Sequence, residues 1–119
     1  MKKIVVIGAS PNENRYSNKA TQKLLNNNYE VVPLGIREGT IASLDIITER
    51  PELPDIHSVT MYVGKQRQPD WYDYILSLNP KRVIFNPGTE NIEFMKLANK
   101  NGIETTQNCT LVMLSLGIY

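Results

Sequence analysis

The chain is most tightly constrained near its start. Ile4, Val5, Val6 and Ile7 run without interruption into Gly8-Ala9-Ser10-Pro11. Consecutive β-branched residues favour extended backbone, and so short an apolar run closed by a small-residue turn predicts a strand, Lys3–Ile7, covered on both faces. Such a strand belongs to a parallel sheet, because crossover helices cover both of its faces. The loop Gly8–Arg15 contains the turn formers Pro11, Asn12 and Asn14. Ala20, Leu24 and Leu25 then follow at helical spacing. Strand, small-residue turn and helix make the opening of a nucleotide-binding βαβ unit, whose outward N–H groups attract phosphate.

The rest of the sequence repeats the alternation. Ser17 or Asn14 is expected to cap the first helix, and Asn26-Asn27-Asn28 to end it. Tyr29–Pro33 predicts the second strand, with Leu34-Gly35-Ile36 at its carboxyl end. Gly39–Ile47 reads equally as a short strand or as a helical turn with a loop, and Arg50–Pro54 as an extended connector. His57–Val63 predicts a strand, Gly64–Pro69 its loop, and Asp70–Leu78 a helix capped by Asp70. Val83–Phe85 is the next strand and Asn86–Thr89 its loop. A helix capped by Thr89 carries Ile92, Phe94, Met95, Leu97 and Ala98 and ends at Asn101-Gly102. Ile103–Thr106 reads as a last short strand, followed by a helix from Asn108 or Thr110 to Leu116. This order predicts an α/β fold: a Rossmann-like, doubly wound, mostly parallel sheet with helices on both faces. A length of 119 residues suits a single domain spanning 1–119.

Bulk properties narrow the partners. A net charge of +1 gives no global attraction to nucleic acid. No segment approaches the ~20 apolar residues of a membrane span, and the first apolar run, ending at Ile7, is too short for a secretory signal. The single cysteine, Cys109, forms no intramolecular disulfide, which fits a reducing, cytoplasmic setting.

In a doubly wound sheet the ligand lies at the carboxyl ends of the strands. The loops there bring Gly8, Gly35, Gly64 and Gly88, which permit close backbone approach. They also bring Ser10, Asn12, Arg15, Arg37, Lys65 and Arg67, which donate to phosphate. The first turn has only one glycine of the three in the dinucleotide fingerprint, and the second strand ends without a carboxylate for a ribose hydroxyl. Both features argue against NAD.

These residues resemble a family. Ile-Val-Val-Ile-Gly8-Ala9-Ser10-Pro11, then Arg15-Tyr16-Ser17 and Tyr29-Glu-Val-Val-Pro33, are similar to the small bacterial CoA-binding proteins, stand-alone relatives of the CoA-binding domain of succinyl-CoA synthetase. Ser58-Val-Thr-Met-Tyr62, Asn86-Pro87-Gly88 and Gln107-Asn108-Cys109 extend the likeness along the chain. The resemblance implies a Rossmann-like domain holding the ADP part of CoA or an acyl-CoA. Gly8, Ala9 and Ser10 would face the phosphates, with Arg15, Tyr16 and Ser17 beside them. Pro33, Leu34 and Gly35 would line the adenosine side and Gly88 the far wall. The chain departs from the family pattern in three places. It has Pro33-Leu34-Gly35-Ile36 in place of Pro-Val-Asn-Pro, Asn86-Pro87-Gly88 in place of Gln-x-Gly, and no acidic residue after Cys109.

Other conspicuous residues read as structural. Cys109 adjoins an apolar run and is expected to be buried. His57, the only histidine, opens a strand and shows no orienting partner. Trp71, Tyr74, Ile75 and Leu78 at helical spacing read as core. No catalytic triad, metal-ligand spacing or P-loop occurs. The first expectation is therefore a non-catalytic protein binding CoA or an acyl-CoA. The second is a degenerate Rossmann module acting through protein partners without a nucleotide. The third is an NAD(P)-dependent enzyme.

Overall fold

The computed structural model describes residues 2–119. β1 (Lys3–Ile7) leads through a loop to α1 (Tyr16–Asn26) and β2 (Glu30–Leu34). A hairpin, β3 (Thr40–Ile41) and β4 (Leu44–Asp45), precedes β5 (Ile56–Met61). A 3-10 turn (Lys65–Trp71) then runs into α2 (Tyr72–Leu78). β6 (Arg82–Phe85), α3 (Ile92–Lys100), β7 (Glu104–Gln107) and α4 (Thr110–Leu116) complete the order.

The main sheet runs β2-β1-β5-β6-β7, and every pair in it is parallel. A further parallel bridge joins Leu34 to Ile47 outside β2. This is a Rossmann-like α/β sheet. Ile4 to Ile7 are completely buried. Ile4 and Val6 pack with Leu24 of α1, Leu114 of α4 and Ile41 and Ile46 of the hairpin segment. Val5 and Ile7 share the opposite core with Ile75 and Leu78 of α2 and Phe94 and Ala98 of α3. Helices thus cover both faces, as the uninterrupted apolar run requires. Each such side chain contributes about 1.5–3 kcal/mol by leaving water. Among the described residues no helix is long and apolar enough to cross a membrane.

Several boundaries differ from expectation for identifiable reasons. β2 continues through Pro33 to Leu34 because it is the last strand of the main sheet. The Pro33 carbonyl accepts from Ile47 N at 2.9 Å, so its ring nitrogen faces the same outer side and costs no bond to β1. The segment at Gly39–Ile47 is a two-residue hairpin whose corner, Ala42 (φ 48°) and Ser43 (φ 72°), takes left-handed backbone at both positions. That is the conformation a tight hairpin imposes, and Ala-Ser carries no sequence signal for it.

The caps move as well. Arg15, in extended conformation, holds the N-cap position of α1 without a side-chain bond. Ser17 lies inside the first turn, and Asn14 N–H donates to Asn12 Oδ1 at 3.0 Å within the loop. Asp70 falls in the 3-10 turn rather than at a helix start. Thr89 donates its hydroxyl to Asn86 O, and Asn91 caps α3 by accepting from Phe94 N–H at 3.1 Å. Asn91 is the residue with extended backbone directly before that helix, as a cap must be.

Candidate functional site

The strand order reverses between β1 and β5, so the crevice beyond their carboxyl ends is where a ligand is expected. Tyr62 N–H donates to Ile7 O at 2.8 Å, and the two chains pass so closely that Gly8 sits against Tyr62. A Cβ on Gly8 would meet the Tyr62 carbonyl carbon at 3.0 Å, and Gly8 also needs a φ of +95°. Glycine is therefore required here on two counts. A cleft of about 1150 Å³ opens above this point.

Its floor is the loop Gly8–Ser17, which is built to hold itself. Ser10 Oγ accepts from Asn12 N–H at 3.1 Å, and Arg15 N–H donates to Asn12 O at 3.0 Å. The buried Asn18 reaches back from α1 and donates to Ser10 O at 2.9 Å, with Gln22 donating in turn to Asn18 Oδ1 at 2.6 Å. Tyr16 and Ser17 are the first residues of α1, so their N–H groups have no acceptor inside the helix. The Ser10 hydroxyl accepts from the loop and keeps its proton to give away.

The side wall comes from the end of β2. Gly35 N–H donates to Ile47 O at 3.0 Å, while both Gly8 and Ala9 N–H groups donate to Leu34 O. A Cβ on Gly35 would lie 2.4 Å from Ala9 O, so only glycine lets this wall close on the loop. Ile36 and Arg37 then turn into the cleft.

The far wall is a closed polar network. Asn86, at 1% exposure, donates to Thr60 Oγ1 (2.7 Å) and Met61 O (2.9 Å) and accepts from Thr110 N–H (2.8 Å). Gln68 is fully buried. It donates to Val63 O at 2.9 Å and Thr89 O at 2.7 Å, and accepts from Asn91 at 2.9 Å. These carboxamides fasten the loops after β5 and β6 and hold Pro87, Gly88 and Thr89 at the cleft. Tyr62 lines the cleft while its hydroxyl is buried without a hydrogen-bond partner among the described residues. Burial, and then the nearby Cys109, push that phenol well above its usual range, so it stays neutral.

The charge in the cleft is one-sided. Arg15, Arg37, Arg50 and Arg67 line it, and among the described residues Asp70 is the only acidic one that does. Asp70 is engaged by Arg50, whose guanidinium donates to Asp70 Oδ2 at 2.7 Å and lies 3.8 Å over the Trp71 ring. Arg15, Arg37 and Arg67 have no ion-pair partner among the described residues. A chain of net charge +1 therefore concentrates its excess positive charge at one crevice, where it favours an anion.

Of the residues singled out in the sequence, Gly8, Ala9, Ser10, Asn12, Arg15, Tyr16, Ser17, Gly35 and Gly88 meet at this cleft. Pro33 and Leu34 do not. They are buried in β2, with Leu34 at zero exposure, and Ile36 and Arg37 occupy the adjacent wall instead. Of the phosphate donors proposed on the loops, Lys65 lies outside the cleft and Arg67 inside it. Trp71 is core, as its spacing indicates, yet one edge also reaches the cleft. Arg50 carried no motif, and Tyr62 entered only as the end of the Ser58–Tyr62 stretch of the family likeness. Arg50 arrives from a connector far away in sequence, which only the tertiary fold brings near. Cys109 is half-buried at the N-cap of α4 and does not line the cleft.

His57 lies at the opposite, amino end of the sheet. Arg82 Nε donates to Ser58 Oγ at 2.6 Å, and the Ser58 hydroxyl lies 2.7 Å from His57 Nδ1. Burial lowers the imidazole pKa from 6.5, and Lys2, Arg82 and Lys81 lower it further. His57 is thus favoured in its neutral form and lies remote from the crevice.

Comparison with known proteins follows this geometry. Residues 2–115 match the family model described as a CoA binding domain. The crystal structure of an uncharacterized protein is 47% identical, with a TM-score of 0.98, covering 100% of this chain and 98% of that one. A conserved hypothetical protein from Pyrococcus furiosus is 25% identical, with a TM-score of 0.81, covering 94% of this chain and 98% of that one. A protein from Thermus thermophilus, 20% identical, shares the fold at a TM-score of 0.85, covering 99% and 90%. No curated protein matches the chain.

Proposed function

The chain belongs to the CoA-binding domain family, and we propose that it holds CoA or an acyl-CoA in the crevice beyond β1 and β5, without catalytic machinery of its own. One observation carries this reading: the open N–H groups at the start of α1 and the unpaired Arg15, Arg37 and Arg67 face the same cleft. The ligand's diphosphate lies over Gly8, Ala9 and Ser10, drawn by the helix start and by Arg15. Asn12 Oδ1 holds the loop by accepting from Asn14 N–H, and its Nδ2 group remains to donate to phosphate. Gly35 and Gly88 bound the cleft on either side, and Tyr16 and Ser17 flank the phosphates.

A thermal-shift titration tests the reading. CoA at about a hundred times its Kd is expected to stabilise the fold by about 2.7 kcal/mol, rising with concentration, while NAD gives a smaller shift. Ser10→Glu puts a carboxylate where phosphate sits and is expected to abolish the CoA shift while the protein stays folded. An unchanged CoA shift in that variant would remove the first loop from the site. No shift with CoA in the wild type would leave binding through protein partners as the better account.

A further inference from the structure

Building on that reading, we propose that Arg50 is the platform on which the ligand's base stacks: its guanidinium plane, held by Asp70 and Trp71, takes the flat face of the adenine. With the diphosphate at the start of α1, the ribose lies beside the end of β2 and the base beyond it. The chain delivers Arg50 to that end. Ile47 runs parallel to Leu34 outside β2, its N–H donating to Pro33 O at 2.9 Å and its carbonyl accepting from Gly35 N–H at 3.0 Å. Arg50 follows shortly after and lines the cleft. The next residue is tied down as well, since Tyr74 of α2 donates its hydroxyl to Pro51 O at 2.7 Å. Ile36, just past the same bridge, lines the cleft at 79% exposure and gives the base an apolar neighbour.

Arg50 differs from the other arginines of the cleft. Arg15, Arg37 and Arg67 have no ion-pair partner among the described residues and remain for phosphate. Arg50 has its charge matched: it donates to Asp70 Oδ2 at 2.7 Å and to Asp70 O at 2.6 Å. A matched cation has little left to give a second anion. Its plane still stacks, because a guanidinium is flat, delocalised and weakly hydrated. Its hydrogen bonds leave from the edge of the plane, and Trp71 covers one face at 3.8 Å. The opposite face is the part left open, and 36% of the side chain stays exposed. Bases stack on such arginine planes as they do on aromatic rings. The platform is also held before any ligand arrives, at Ile47, at Pro51 and at the guanidinium itself, so binding spends little on ordering it.

Arg50→Lys keeps the positive charge and removes the plane. Calorimetric titration of the wild type and this variant with CoA, and with inorganic pyrophosphate as a competitor that carries phosphates and no base, tests the assignment. Arg50→Lys is expected to lose about tenfold in CoA affinity, the scale of one base stack, while its affinity for pyrophosphate stays that of the wild type. CoA affinity retained in Arg50→Lys, or an equal loss for both probes, would overturn the platform and leave CoA binding standing. Failure of the wild type to bind CoA would overturn the underlying function itself.

Discussion

The two walls of the cleft are built on opposite principles. The first loop, Gly8–Ser17, spends its side chains on itself: Ser10, Asn12 and Asn18 accept from or donate to the loop backbone. What it shows the cleft is the open N–H groups of Tyr16 and Ser17, the Ser10 hydroxyl and the Arg15 side chain. The far wall, Asn86–Asn91 with Gln68, spends its side chains inward, and both amide groups of Asn86 and Gln68 find partners. A polar group that is already satisfied has little to give a ligand, whereas an open donor at a cationic mouth gains from one. One wall is therefore the one we propose to bind, and the other keeps the crevice in shape.

The contrast can be broken most directly at Asn86. Asn86→Ala leaves the Met61 carbonyl and the Thr110 N–H without their partner, and is expected to lower unfolding stability by about 3 kcal/mol. Urea denaturation measures this. A near-neutral result would show that the far wall is not held by its amide network. Gly35→Ala comes next. Its Cβ falls against a backbone carbonyl that has no room to move, so stability should drop by about 2 kcal/mol and CoA affinity should fall with it, because Ala9 is displaced. Loss of stability with unaltered affinity would uncouple the side wall from the binding loop.

The smallest effect is at the remote amino end. His57 has a folded pKa below its ordinary value of 6.5, so the unfolded chain binds the extra proton first. Its contribution is present above pH 6.5 and is lost as pH falls toward the folded pKa. His57→Gln should flatten that slope in stability against pH and leave CoA binding unchanged. A change in ligand affinity would tie the two ends of the sheet together.

Much of this was legible in advance. β1 coincides with Lys3–Ile7 because a run of β-branched residues has few other ways to be buried. The Asn26–Asn28 stop works as expected, with Asn28 in left-handed backbone. The candidate caps of α1 and α3 failed because several polar residues stand near each helix start, and the cap position falls to the one with extended backbone, Arg15 and Asn91; α2 instead continues from the 3-10 turn through Trp71. Of the three residues expected along the wall after β2, Gly35 reaches the cleft while Pro33 and Leu34 stay in the strand, because Pro33 reads as a strand end, yet at an outer edge it does not stop the strand.

The sequence by itself determined the parallel sheet, the two-sided core and the tight first turn at Gly8, since apolar runs and small-residue turns act over a few neighbouring residues. The tertiary structure decided the rest. Ala9 O pressing on Gly35, Arg50 stacked on Trp71 and held by Asp70, and Asn86 tying three elements together are contacts between residues far apart in the chain. No local pattern encodes them, because their energy exists only once the strands are side by side.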